Sequence, residues 1–155
     1  MAKRRRSPTT PGSSRSRATG NERKKNVAWD PYEAGRRAVE SLKRVGGVAL
    51  SREAAADRLN VTLATIYNRI SKNEIVVWTD ADGLFRFPKW QFAVRGMLPG
   101  VSECLQILDS RDHWAVMRFF LSPSAMTGDA TPLQLLQQGR IAEARAVALA
   151  AGVHS

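Results

Sequence analysis

Residues 51–70 read SREAAADRLNVTLATIYNRI, and the fold turns on how the two halves of this stretch meet. Ser51 is a good N-cap, and the pattern behind it runs helically to Leu59. Its apolar face is Ala55, Ala56 and Leu59, mostly small residues that let a crossing helix approach closely. Asn60 stands where the chain must turn sharply, and asparagine tolerates the left-handed conformation better than most residues with a side chain. Thr62 caps a second helix, and Val61 can staple onto Ile66. Leu63, Ile66 and Ile70 form the inner face of that helix. Ala64, Thr65, Asn68, Arg69 and Lys72 are left pointing outward.

Working outward, EIVVWTDADGLFRFP (74–88) predicts two strands, 75–79 and 84–87, around a turn at 80–83. Pro88 ends the second strand, and KWQFAVRGML (89–98) reads as a further short helix. Upstream, Asp30-Pro31 opens a lead-in helix with Ala34, Ala38, Val39, Leu42 and Val45 at helical spacing, stopped by Gly46-Gly47. A tight turn, small residues at a helix crossing and a polar outer face are what a helix-turn-helix needs to lay its second helix in the major groove. The outer residues suit that task. Asn68 can pair with adenine, Arg69 with guanine, and Thr65 can meet a thymine methyl or a phosphate. Thr62 and Ala64 lie on the same approach, and Lys72 and Arg86 could hold phosphates. The competing reading is an ordinary helical hairpin of an α core. Trp78 could stack on a base or cover the core of its own hairpin.

Leu98-Pro99-Gly100 reads as a boundary. Beyond it, 101–108 and 112–121 are helices, 122–130 is a loop, and Thr131-Pro132-Leu133-Gln134 opens a helix as N-cap, first-turn proline and capping box. Gly139 ends that helix. Ile141, Ala144, Val147, Ala148 and Ala151 line the last one, with Gly152 as its stop. Apolar residues crowd 114–141, and those at 119, 120 and 121 point in three directions. A unit this small is expected to bury the surplus against another chain. Trp114, Phe120, Met126, Thr131 and Leu133 are the candidate contacts, with the loop 122–130 lining them.

The chain of 155 residues carries a net charge of +10. Residues 1–26 hold nine Lys or Arg against the single acid Glu22, a net +8, and the rest holds only +2. The field belongs to this Ser/Thr/Pro/Gly-rich arm. With almost no apolar residues, the arm is expected to be disordered and to attract polyanions by counterion release. A solubilising leader or an arm for anionic membranes are the alternatives, but no amphipathic or lipidation signal accompanies it. No apolar run is long enough to span a membrane, and the basic start lacks the apolar core of a secretory signal. The lone Cys104 excludes an internal disulfide framework and fits a reducing cytoplasm.

Catalytic signals are weak. Cys104 lies in an apolar helix pattern, the two histidines, His113 and His154, give no metal spacing with it, and no glycine-rich phosphate loop is present. Asp80 and Asp82 read as turn-formers. The expectation is a non-enzyme with no cofactor and no metal.

SREAAADRLNVTLATIYNRISKNEI…FRFPKWQF resembles the excisionase-like and MerR-like winged helix-turn-helix domains. The resemblance covers about 45 residues and departs at Asn60, where glycine is usual. It implies DNA binding through the second helix and the wing. DHWAVMRFFLSPSAMTGDATPLQLLQQGRIAEARAVALAAG (112–152) resembles the toxin-binding domain of the Xre/MbcA/ParS antitoxins. The resemblance rests on FFL, Pro123, Gly128, TPLQLL, Gly139 and the Ala-rich end, and departs at Ser124 and Asp129. It implies a partner toxin of the RES fold and repression of a shared operon.

Together these readings give a mostly α protein. A disordered basic tail (1–26) and a lead-in helix (27–47) precede a winged helix-turn-helix with a two-stranded wing (48–98) and a small C-terminal helical domain (101–155). The expected function is a cytoplasmic, dimeric antitoxin that represses transcription on double-stranded DNA. Two alternatives stand beside it. One is a stand-alone regulator or excisionase-like architectural factor whose C-terminal domain only self-associates, and the other is an RNA-binding adaptor using the arm.

Overall fold

The computed structural model describes residues 30–153; the basic arm, the first residues of the lead-in and His154 lie outside them. The chain divides into two units, 1–38 and 39–155. Of the first, only the opening half of α1 (Pro31–Gly46) is described. There Tyr32 N–H donates to Asp30 Oδ1 at 3.0 Å, and Glu33 pairs with Arg36.

The described residues are mostly helical, with a small three-stranded antiparallel sheet. After α1 come β1 (Ala49–Leu50), α2 (Arg52–Leu59), α3 (Leu63–Ser71), β2 (Trp78–Thr79) and β3 (Phe85–Pro88). Then follow α4 (Val101–Leu108), α5 (His113–Leu121), α6 (Pro132–Gln137) and α7 (Ile141–Val153). The expected two-stranded hairpin is the β2–β3 pair, with Trp78 opposite Arg86 and Thr79 opposite Phe85. The expectation fell one strand short. Ala49 and Leu50 pair with Pro88 and Phe87, which places β3 in the middle. Pro88 has no N–H to donate and terminates the central strand. The helix expected over 89–98 is also absent. Only Lys89–Gln91 forms a 3-10 turn, and the chain then doubles back with Phe92 bridging Met97 around Gly96.

Local chemistry explains where the helices begin and end. Ser51 accepts from Ala54 N–H, Thr62 from Thr65 N–H, and Asp112 from Trp114 and Ala115 N–H. Each such cap stabilises its helix by about 1 kcal/mol. Thr131 and Gln134 form the reciprocal capping box, with Pro132 in the first turn. After α6, Gly139 at φ 77° and the Arg140 N–H to Leu135 carbonyl bond of 2.8 Å close the C-terminus. The last helix runs through Gly152 rather than stopping there.

Two apolar clusters hold residues 39–153. The smaller joins Ala55, Ala56, Ile66, Ile75, Val77, Phe87 and Phe92, so that α2 and α3 cross over the sheet. The larger is centred on Val101, Leu105, Met117, Phe120, Leu135 and Ala148. It also contains Val76, with Leu42, Trp78, Trp90 and Met97 packed on it. The apolar surplus of the C-terminal helices is therefore largely absorbed within the chain. Trp114 packs tilted against Trp78 with centroids 5.4 Å apart, and Phe120 against Trp90 at 5.2 Å. Trp90 of the 3-10 turn meets Phe120, Phe119 packs edge-on to Phe120, and Gly46 at the end of α1 lies beside Leu121. Gly100 contributes to this closure. At φ +96° it suits glycine, and a Cβ there would stand 2.5 Å from the Leu136 side chain.

Candidate nucleic-acid interface

The joint between α2 and α3 sets the geometry. Asn60 takes φ 57°, ψ 49°, the left-handed conformation, and its N–H reaches back to carbonyls of α2. Val61 N–H donates to the Ala56 carbonyl at 3.0 Å. With Ala55 and Ala56 buried at the crossing, α3 lies close against α2.

Ile66 is fully buried. Positions around it follow at about 100° per residue. Ala64 and Asn68 point nearly opposite Ile66, Tyr67 and Ser71 flank them on one side, and Lys72 flanks them on the other. All five are exposed. Thr62 is exposed at the N-terminus, but its hydroxyl caps the helix and contacts the Thr65 hydroxyl at 3.1 Å. Thr65 and Arg69 are half-buried. Arg69 sits about 60° from Ile66, on the flank rather than the outer face. The candidate residues Thr62, Ala64, Asn68 and Lys72 thus share a surface, with Thr65 and Arg69 at its edges.

Beside α3 stands the β2–β3 hairpin. Asp80 organises its turn. One carboxylate oxygen accepts from Asp82 and Leu84 N–H at 2.9 and 3.0 Å, and the other from Arg86 Nε at 2.9 Å. These contacts, the Leu84 N–H first, hold the Asp80 carboxyl below its ordinary range. Arg86 is therefore paired inside the hairpin. A phosphate there would share it with Asp80.

Two residues at this surface escaped the sequence reading. Arg52 Nη1 donates to Tyr67 Oη at 2.5 Å and its Nε to Glu53 at 2.8 Å. With Gly83, Leu84 and Arg86 they border a cleft of about 220 Å³ between the α2 N-terminus, α3 and the hairpin. The signal for Tyr67 was its place at i+3 from Ala64, on the outer stripe.

The far end of α3 is clasped by the C-terminal half. Arg111 donates to the Ile70 and Ser71 carbonyls at 3.4 and 3.1 Å. Gln106 Nε2 donates to the Lys72 and Asn73 carbonyls at 2.9 Å, and Ser102 Oγ to that of Glu74 at 2.9 Å. These bonds satisfy carbonyls that a helix end leaves open.

The partner-contact candidates scatter. Phe120 is fully buried and Trp114 is half-covered by Trp78, so Phe120 offers nothing at the surface. Thr131 is occupied in the capping box, Leu133 is half-buried, and Met126 stands 59% exposed on the 3-10 turn Ala125–Thr127. Burial pushes the Cys104 thiol up to about 11, which keeps it protonated. Among the described residues no group of three or more His, Cys, Asp or Glu could hold a metal, and no helix is long and apolar enough to cross a membrane. No family model, curated protein or solved structure matches this chain.

Proposed function

We propose that the chain is a sequence-specific double-stranded DNA-binding protein of winged helix-turn-helix type, with α3 as the helix that enters the major groove. The observation that carries this reading is the outer stripe of α3. Ala64, Asn68, Ser71 and Lys72 stand exposed on a helix fixed by caps, by Ile66 and by the clasp at its far end. A rigid helix with small and hydrogen-bonding residues outward suits readout of base edges. The hairpin beside it serves as the wing, and the +8 arm supplies the sequence-independent attraction that the rest of the chain, at +2, lacks. A second copy on a second half-site would extend the short sequence one helix reads.

A scaffolding role for α4–α7 is supported by the bonds from Ser102, Gln106 and Arg111 to the end of α3 and by the core these helices share with Val76 and Trp78. The antitoxin reading is the narrower proposal, supported by the resemblance of 112–152 to the Xre/MbcA/ParS toxin-binding domain and by the exposed Met126. Co-expression with a RES-fold protein from the same operon separates the two, since a scaffold alone captures none.

Selection from a randomised duplex pool tests the DNA reading. An enriched motif is expected. Asn68→Ala should cost about 1–3 kcal/mol on it and relax one position, with Arg69→Ala costing less because Arg69 is on the flank. A pool that emerges unenriched refutes the proposal.

A further inference from the structure

A second cavity, of about 290 Å³, opens where the end of α3, the segment 75–77 and the helices α4 and α5 meet. Its floor is apolar and buried: Ile75, Val77, Leu105 and Val116 are each at most 5% exposed. Its volume lies just below the about 300–1,000 Å³ range of drug-sized sites and suits a smaller ligand. The ionisable side chains in its lining are Arg111 and His113, both basic. None of the described residues lining it is acidic. Ser110 and Asn73 add polar groups, although Asn73 Nδ2 is engaged with the Leu105 carbonyl at 3.0 Å. Apolar walls with one permanent cation are the composition that holds a flat apolar body and orients one anionic group.

We propose that this cavity binds a small apolar monoanion, such as an aromatic carboxylate, with its carboxylate on Arg111. Arg111 now spends its donors on the Ile70 and Ser71 carbonyls at the end of α3, through bonds of 3.4 and 3.1 Å. A guanidinium carries five N–H groups in a planar fork, and a carboxylate takes two of them side by side. Two of the five N–H groups are taken at the end of α3, so an occupant shares Arg111 with that helix end. It also touches Ile70 of α3 and Phe85 of β3, which line the same cavity. The ligand site stands independently of the DNA reading. Its consequence, that an occupant alters DNA affinity, rests on that reading.

The test is a titration of the full-length, ¹⁵N-labelled chain with benzoate and, separately, with neutral benzamide. Benzoate should shift the amides of 71, 75–77 and 116 saturably, and benzamide should bind about tenfold more weakly. Arg111→Gln should bring the two ligands to equal affinity. Val116→Phe, which fills the cavity from its wall, should abolish both titrations, with a cooperative melt showing that the variant is folded. Shifts that fail to saturate at millimolar ligand, or that fall elsewhere, overturn the site. Equal affinity for benzoate and benzamide in the unmodified chain overturns the role of Arg111. If benzoate binds but the affinity for the selected duplex stays the same, the regulatory consequence falls and the site stands. If no duplex is selected at all, the failure belongs to the DNA reading.

Discussion

Gln91 is a fully buried polar side chain in a cluster of apolar ones, and replacing it with leucine tests how the wing is held. Its amide acts as a short piece of strand. Val76 N–H donates to Gln91 Oε1 at 2.7 Å, and Gln91 Nε2 donates to the Val76 carbonyl at 2.7 Å and to the Pro88 carbonyl at 3.2 Å. Val76 lies in the run between α3 and β2, and its backbone finds here the partner that a neighbouring strand would supply. Gln91→Leu keeps the volume and strands the Val76 N–H and carbonyl. Each buried group left unsatisfied costs about 1–3 kcal/mol, so two cost about 2–6 kcal/mol. The buried leucine returns about 1–2 kcal/mol by transfer. A net loss of about 3 kcal/mol is expected, a large share of the about 5–15 kcal/mol that holds a domain together. Urea unfolding of the full-length chain, followed by tryptophan fluorescence, measures it. Gln91→Glu sharpens the result. Its carboxylate accepts from Val76 but faces two carbonyls without a proton, so its folded pKa is raised. Its stability should be highest below the ordinary glutamate range and fall as pH rises through the raised value. A loss below about 0.5 kcal/mol for Gln91→Leu would refute the reasoning, since such a loss is within the range of neutral surface changes.

Truncation after Gly100 should unfold the remainder, because Val76, Trp78 and Trp90 lose the larger cluster and α3 loses its clasp; a sharp thermal transition in the truncated chain would contradict this. His113 is half-buried, and desolvation lowers its pKa below the ordinary histidine value against the opposing pull of Asp112. Its contribution to stability is therefore complete above about pH 6.5 and is lost as pH falls through the depressed value, and comparison with His113→Gln should show that loss only in the unmodified chain. Deleting 1–26 removes +8 and should weaken binding to all duplexes about equally while flattening the salt dependence; an unchanged salt slope would show that the arm does not touch DNA.

What the sequence made legible was its short-range chemistry. Ser51, Asn60, Thr62 and the Thr131–Gln134 box all act within four residues, so their spacing alone announces them. The β1 strand stayed hidden because two residues carry no alternation, and its partner, β3, lies far along the chain. Gln91 stayed hidden for a related reason: nothing in KWQFAV marks a glutamine whose amide pairs with a backbone fifteen residues earlier. Trp78 and Trp114 were each read within their own segment, although they meet each other, with Lys43 above both rings. The surplus of apolar residues over 114–141 was counted correctly. Its destination is not legible, because Leu98-Pro99-Gly100 has the composition of a separator whereas Gly100 is a point of close approach to Leu136 and Ile141. On α3, burial by Ile66 fixes the rotation more finely than the outward list did, moving Arg69 to the flank and Tyr67 outward.

The central claim is that α3 and the hairpin beside it meet DNA. Adding the selected duplex to the ¹⁵N-labelled chain and following each backbone amide tests it most directly. The strongest shifts are expected over 62–72 and 80–86, with α6 and α7 nearly unmoved. Strong shifts confined to α5–α7, or a duplex that moves no amide of α3, would contradict it.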